Sequence, residues 1–111
     1  MSRKLDVAVA EALGKTVARI DYEKYSKYVI PGNKSEQQRG VPHYSTDGNA
    51  VLELIGEMQR VGWKLKIHIF SDEVWVHIFN LDSFYCVAEN TMPKAVALAA
   101  YKALTGKEWS E

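Results

Sequence analysis

The sequence predicts an α+β fold in which helices pack on a three-stranded antiparallel meander, with an α/β/α sandwich as the expected layering. Helical periodicity near 3.6 marks a segment at the start, one in the middle and one at the end of the chain. Between the last two, the period changes to 2 over three successive stretches, as in a hairpin-connected sheet. With 111 residues, 47% of them hydrophobic, the chain can bury a core without disulfides or metals. We therefore expect a single domain over residues 1–111.

The charge balance and the single cysteine narrow the function classes. Fourteen basic residues match fourteen acidic ones, so the chain lacks the positive charge typical of a nucleic-acid binder, and nucleic acid is an unexpected partner. One cysteine cannot form an intrachain disulfide, which favours a reducing, cytoplasmic compartment. The N-terminus does not resemble a signal peptide, and no run approaches the ~18 apolar residues of a membrane span. We expect neither secretion nor membrane insertion.

The first predicted helix covers residues 5–13. One helical stripe holds its apolar side chains, which are Leu5, Ala8, Val9, Ala12 and Leu13. Ser2 is available as an N-cap, and Gly14 is the expected end of the helix.

Residues 15–43 lack a sustained period. Val17 and Ile20 suit a short strand or a turn, whereas Tyr22, Tyr25 and Tyr28 repeat every three residues like one side of a short helix. Residues 31–40 are polar with turn formers at both ends, which predicts an exposed loop.

The second predicted helix spans about 48 to 61. Ser45, Thr46 and Asp47 offer three successive N-caps, and Gly62 ends the pattern. The same Ser-Thr-Asp run could bind an anion or a metal at the helix N-terminus, but capping explains all three residue types. The apolar face consists of Val51, Leu54, Ile55, Met58 and Val61.

Three strands follow, joined by two-residue loops. Alternation fixes their register, because a loop of odd length would place core residues opposite outward ones. The loops at Ser71-Asp72 and Leu81-Asp82 then align one buried face, with a third strand at about 83 to 88. That face consists of Trp63, Leu65, Ile67, Ile69, Val74, Val76, Ile78, Tyr85 and Val87.

The last predicted helix begins at Thr91 and ends at Gly106. Thr91 is the expected N-cap, and proline at position 93 is tolerated in the first helical turn. Its apolar face consists of Met92, Val96, Ala99, Ala100 and Ala103.

The opposite face of the meander should be polar but is not. The same register gives three rows on it: Lys64 with Phe79 and Phe84; Lys66 with His77 and Cys86; His68 with Trp75 and Ala88. Exposed aromatic patches usually mark a ligand or partner surface. Either the first helix or residues 15–43 cover this face, or an oligomer partner or a ligand does.

A mixture of cations and aromatic rings suits a nucleotide-like ligand, because rings stack on bases and ammonium groups neutralise phosphates. The expected ligand-binding residues are Arg39, Lys64, Lys66, Trp75, Phe79, Phe84 and Asn90. Lys34 in the loop and Arg19 before it are further cations that could fold over an anion, although a solvated loop of mixed charge looks the same.

Catalytic and metal chemistry find little support. His68, His77 and Cys86 could ligate zinc if the strands bring them together, but no paired ligand spacing occurs, and we expect no metal. Cys86 and His77 could form a nucleophile pair, yet the sequence offers no orienting third group. No phosphate-binding glycine motif occurs either, so we expect no cofactor and no enzymatic activity.

Four motifs in order resemble the phage ABA sandwich domain family over nearly the whole chain. They are KLDVAVAEALG at residues 4–14, YSTD at 44–47 before a helix, Gly62-Trp63 entering a strand, and Ala88-x-x-Thr91-x-Pro93 before an alanine-rich helix. The family occurs in phages and prophages.

A similar architecture occurs in the Thoeris anti-defence proteins, phage sponges that sequester a cyclic ADP-ribose isomer or cyclic oligonucleotide signals. Where such proteins grip pyrophosphate with arginine from the last helix, this helix offers Lys94 and Lys102. The resemblance implies a non-enzymatic binder of a small nucleotide-like signal in the host cytoplasm, acting as a homo-oligomer. A phage interaction or structural module and a small Cys86/His77 enzyme are the alternatives.

Overall fold

A computed structural model describes residues 3–24, 26–32 and 39–110. Within these residues the chain forms three helices and six strands. In chain order they are α1 (Lys4–Ala12), β1 (Ala18–Asp21), β2 (Ser26–Ile30), β3 (Arg39–Gly40), α2 (Gly48–Arg60), β4 (Lys64–Ile69), β5 (Val74–Phe79), β6 (Phe84–Glu89) and α3 (Met92–Thr105). The strands make two antiparallel sheets, β1-β2-β3 and β4-β5-β6.

The first helix forms as predicted and ends at Ala12, and Gly14, whose φ of 87° is in the left-handed region, turns the chain away from it. Leu5 and Val9 are buried, as expected, but Asp6 and Ala10 are buried too, so the contact face is rotated from the predicted stripe. That rotation follows from the partner, because α1 packs on α3. The predicted cap, Ser2, lies outside the described residues.

The described part of residues 15–43 contains β1, β2 and β3, so the short strand expected at Ile20 is confirmed, and the helical interpretation of the tyrosine repeat is wrong because Tyr28 lies in β2. β1 and β2 pair antiparallel, with Ile20 opposite Lys27 and Tyr28 opposite Arg19. Cross-strand pairing, which a local period of three cannot reveal, decides the structure here. Tyr25 and residues 33–38 of the predicted loop, with Lys34, lie outside the described residues.

The second helix begins at the predicted cap. The Asp47 carboxylate accepts a hydrogen bond from the Asn49 amide at 2.9 Å. Val51, Leu54 and Met58 are fully buried. Val61 was expected on the same face, but the helix ends before it and 62% of its surface is exposed.

The predicted meander and its register are confirmed at every predicted pair. Ile69 lies opposite Val74, and Ile78 lies between Leu65 and Tyr85. The two-residue loops are confirmed as well, because the Phe70 amide donates to the Glu73 carbonyl. Ile69, which we expected in the core, is 71% exposed because it lies at the outer end of an edge strand.

The third helix packs under the sheet. Five of its side chains are buried, and four of them are alanines: Ala95, Val96, Ala97, Ala99 and Ala100. Such small side chains let α3 lie close to β5 and β6 on one side and to α1 and α2 on the others. Thr91 is at the N-cap position without a side-chain cap bond, and Gly106 ends the helix at a φ of 72°.

The α+β class is thus confirmed, and the layers show which side of the meander is open. The core face of β4-β5-β6 packs on α2 and α3, and α1 lies against α3 rather than over the second face. On that second face Phe84 is 62% exposed and Trp75 is 38% exposed. Among the described residues, therefore, neither α1 nor the β1-β2-β3 sheet buries these rings.

Candidate ligand-binding face

The outer face is the side of β4-β5-β6 that points away from the helices. Its three rows are those predicted from the alternation: Lys64, Phe79 and Phe84; Lys66, His77 and Cys86; His68, Trp75 and Ala88. Five of the seven predicted ligand-binding side chains share this face because residues two apart on a strand point to the same side.

Aromatic contacts link the three strands into a continuous band. Phe79 and Phe84 stack at 6.3 Å between ring centroids, and the edge of His77 meets Phe84 at 5.5 Å. His68 extends the band by an edge contact with His77 at 5.1 Å. These preferred aromatic geometries hold the rings as a platform although one side of it is open.

Trp75 lies at the other end of the outer face and is fixed by a polar contact. Its indole N–H donates to a Glu73 carboxylate oxygen at 2.6 Å. Because the one polar atom of the ring is occupied, the indole presents an apolar plane to solvent. A ligand would meet it by stacking.

Two lysines flank the rings on β4. Both Lys64 and Lys66 are exposed, and in the described part of the chain neither forms an ion pair. Their ammonium groups are therefore available to an anionic ligand. Lysines also protect an edge strand from pairing with another chain, which is the ordinary structural reason for placing them there.

Cys86 and His77 are neighbours on the outer face. The Cys86 sulfur lies 4.0 Å from His77 Nε2. The imidazole is in contact with the rings of His68 and Phe84. Over residues 3–24, 26–32 and 39–110, no carboxylate orients the imidazole, and no group of three His, Cys, Asp or Glu side chains could hold a metal ion.

Arg39 is not brought to the outer face. It lies on β3, where its guanidinium pairs with the Glu53 carboxylate of α2 at 3.3 Å. It lines a separate depression of about 570 Å³ together with Lys27 and Arg3. Asn90 directly follows β6 and is exposed. Arg19 on β1 pairs with Asp21.

An ion pair at the start of α1, between Arg3 and the buried Asp6, was not predicted. Asp6 is 1% exposed and contacts the Arg3 guanidinium at 2.5 Å, while the Ser45 amide donates to its other oxygen at 2.9 Å. Arg3 also donates to the carbonyls of Val41 and Pro42. The signal for this pair in the sequence was an acidic residue, Asp6, within the apolar segment of the first helix. The pair ties the segment before α2 to α1, which supports a structural role for Ser45.

A second cleft also escaped prediction. It has a volume of about 560 Å³ and lies between β6, α3 and the C-terminal segment, with Leu5 of α1 also in its lining. Lys94, Leu98 and Lys102 line it from α3, and Trp109 lies on the C-terminal side. The four-residue spacing along the last helix was visible in the sequence, but its neighbours come from elements far apart in the chain.

Comparison with known proteins identifies the family. The family model of the phage ABA sandwich domain matches residues 7–101, which is most of the chain. The chain therefore belongs to this family, and it is a phage protein.

A solved structure shares the fold. The crystal structure of a phage protein from Bacillus cereus is similar with a TM-score of 0.70 at 18% sequence identity, over 99% of this chain and 93% of that one. No curated protein matches the chain. No described helix is long and apolar enough to cross a membrane.

Proposed function

We propose that this phage protein binds and sequesters a small nucleotide-like signal on its outer face, without transforming it. The protein acts in the host cytoplasm as a homo-oligomer. The observation that carries the proposal is the exposure of Phe84 and Trp75 on the outer face, beside Lys64 and Lys66, which form no ion pair with any described residue.

The dimensions of the outer face suit such a ligand. Neighbouring strands lie about 4.8 Å apart, so the ammonium groups on β4 are within side-chain reach of a base stacked on β5 or β6. Base stacking on an aromatic ring contributes about 1–3 kcal/mol per base. Phosphates would face Lys64 and Lys66, and the rings would take the base.

The single sheet surface of the proposed site supports an oligomer. Small-molecule sites are usually concave and bury most of the ligand, whereas one sheet surface supplies a single wall. A second copy placed over the ligand would supply the other wall and slow its release. Sequestration requires slow release.

The Cys86 and His77 geometry gives little support to the enzymatic alternative. A nucleophilic thiol needs a base within hydrogen-bond reach, and that base is usually oriented by a third group. The separation here is 4.0 Å, and the imidazole contacts aromatic rings. We therefore favour ligand binding over enzymatic activity as the function of this face.

A protein-interaction module is the second candidate. It is favoured by apolar side chains exposed around the sheet: Leu81 is fully exposed, Ile69 is 71% exposed and Phe70 is 56% exposed. Such side chains suit a protein partner better than a nucleotide.

Calorimetric titration with ADP, ADP-ribose and cyclic dinucleotides tests the proposal. We expect at least one to bind, and Phe84→Ala to weaken its binding about tenfold through lost stacking. Lys64→Ala and Lys66→Ala should weaken it too, whereas Lys107→Ala, an exposed lysine after α3, should not. If no probe binds, or if Phe84→Ala binds as tightly as the natural chain, the proposal is wrong and the interaction module takes its place.

A further inference from the structure

The cleft beside β6 has the walls of a strand-binding groove. One wall is the edge of β6 at Cys86 to Glu89, and the other is a stripe on α3 formed by Lys94, Leu98 and Lys102. Trp109 closes the groove from the C-terminal segment, where its ring meets Tyr101 edge-on at 5.3 Å. Cys86 and Ala88 also belong to the outer face, but the lysines and large aromatic rings of the proposed ligand surface do not line the groove.

The edge of β6 carries free backbone groups. β6 pairs with β5 on one side, and in the described sheet nothing pairs with its other side. The Asn80 amide donates to the Ser83 carbonyl, which makes 80 and 83 a hydrogen-bonded pair. Bonded and non-bonded pairs alternate in an antiparallel ladder, so the N–H and C=O of Cys86 and Ala88 point away from β5. A further strand can bond there.

The two edges of the sheet differ in their protection. The β4 edge carries Lys64 and Lys66, whose charges discourage an added strand. The outward side chains at the β6 edge are Phe84, Cys86 and Ala88, which carry no charge. The unprotected edge is therefore the one that faces the groove.

The helix stripe runs alongside β6 with a matching repeat. Lys94 contacts Glu89 at 3.5 Å at one end, and Lys102 lies 5.8 Å from the Tyr85 ring at the other. Eight helical residues rise about 12 Å, and four strand residues span about 13 Å. Each four-residue step on α3 therefore corresponds to two residues of an extended chain.

We infer that the groove binds an extended peptide as a fourth, antiparallel strand, with an acidic-x-apolar-x-acidic sequence. The two acidic side chains meet Lys94 and Lys102, and the apolar one between them packs on Leu98. Main-chain bonds to Cys86 and Ala88 give affinity, and the three alternate side chains give specificity, as in other strand-addition sites.

The present partners of the two lysines leave room for this exchange. Lys102 pairs with Glu108, whose side chain is 80% exposed, and Lys94 pairs with Glu89 at 3.5 Å. Each pair has one exposed partner, so solvent screens it and an incoming carboxylate can replace it. Glu108 then competes with the peptide for Lys102. Removing its charge should therefore tighten peptide binding, whereas removing either lysine should weaken it.

Fluorescence anisotropy with a labelled peptide, acetyl-Gly-Glu-Thr-Val-Thr-Glu-Gly-amide, tests the inference. Lys94→Ala and Lys102→Ala should each weaken binding about twofold to fivefold, and Glu108→Gln should tighten it about twofold. Lys107→Ala is the matched control and should leave the affinity unchanged. Lys64→Ala, on the opposite edge of the sheet, should also leave it unchanged, which separates this result from the test of nucleotide binding. Thermal melting checks that each variant is folded.

Peptides methylated on one backbone nitrogen test strand addition itself. In an antiparallel strand the threonines lie opposite Cys86 and Ala88 and bond to them, whereas the valine N–H points away. Methylation of the second threonine should cost at least about tenfold in affinity, and methylation of the valine should cost little. Equal effects at both positions, or no binding of the unmodified peptide at 1 mM (roughly −4 kcal/mol), would overturn the inference.

Discussion

Individual side chains show how polar groups are handled inside this small core. Asp6 is buried, yet Arg3 and the Ser45 amide satisfy both of its oxygens, so its burial costs little. Tyr44 is a contrast, because its ring is fully buried and its hydroxyl has no hydrogen-bond partner within the described structure. Burial, reinforced by the Glu57 carboxylate, raises the pKa of Tyr44 far above the ordinary value.

The Tyr44 hydroxyl predicts a pH effect. Burial favours the neutral phenol in the folded state. Its contribution to the free energy of unfolding is therefore fully present below about pH 10, the pKa of the unfolded chain, and this contribution is lost as the pH rises above that value. Tyr44→Phe removes both the unpaired hydroxyl and this sensitivity. We expect a variant that at pH 7 is as stable as the natural chain or up to about 1 kcal/mol more stable.

Urea unfolding between pH 8 and pH 11 measures this effect. The natural chain should lose more stability than Tyr44→Phe over that interval, and Tyr28→Phe on β2 is the control for a phenol that is only partly buried. Parallel pH curves for the natural chain and Tyr44→Phe would show that the hydroxyl is satisfied in solution.

At the scale of elements, local signals explain what was predictable. Helix caps and the change of period from 3.6 to 2 fixed α2, the meander and its register, because capping and alternation are encoded within a few residues. The hairpin of β1 and β2 was missed because its pairing depends on contacts along the chain that no period records. Arg39 was placed at the wrong surface for the same reason: its position follows from the pairing of β3 with β2 and from Glu53.

The confirmed register makes a quantitative prediction for the sheet. Val76 is fully buried in the middle of β5, whereas Ile69 on the adjacent strand is 71% exposed. Val76→Ala should lower the free energy of unfolding by about 2 kcal/mol through lost burial and a residual cavity. Ile69→Ala, which removes the larger side chain, should cost less than about 0.5 kcal/mol.

Denaturant titration of both variants checks the prediction. The comparison is informative because side-chain size alone predicts the opposite order. A larger loss for Ile69→Ala than for Val76→Ala would mean that a partner covers the end of β4 in solution.

The whole molecule places its helices on one side of the meander and its exposed rings on the other. This asymmetry could not be derived from the sequence, because the hydrophobic pattern of α1 suits packing on either face of the sheet. The alanines of α3 favour the observed arrangement, since they let α1 and the sheet approach the same helix closely. The cleft beside β6 could not be derived from the sequence either, because α1, β6, α3 and the C-terminal segment meet only in the folded chain.

The last prediction concerns this open side and uses Trp75→Ala. If α1 covered the ring, truncation would cost roughly 3–5 kcal/mol, as in a core. Because the ring is 38% exposed on the open face near the start of β5, we expect a loss of only about 1 kcal/mol. We also expect the oligomer to dissociate toward the monomer, since the proposed second wall of the ligand site rests on this face. Leu52→Ala is the control, because that side chain is 64% exposed on α2, far from the outer face. Sedimentation equilibrium and thermal melting together decide the outcome: an unchanged mass would remove the support for an oligomer built on the outer face, and a loss above about 3 kcal/mol would mean that the ring is buried in solution.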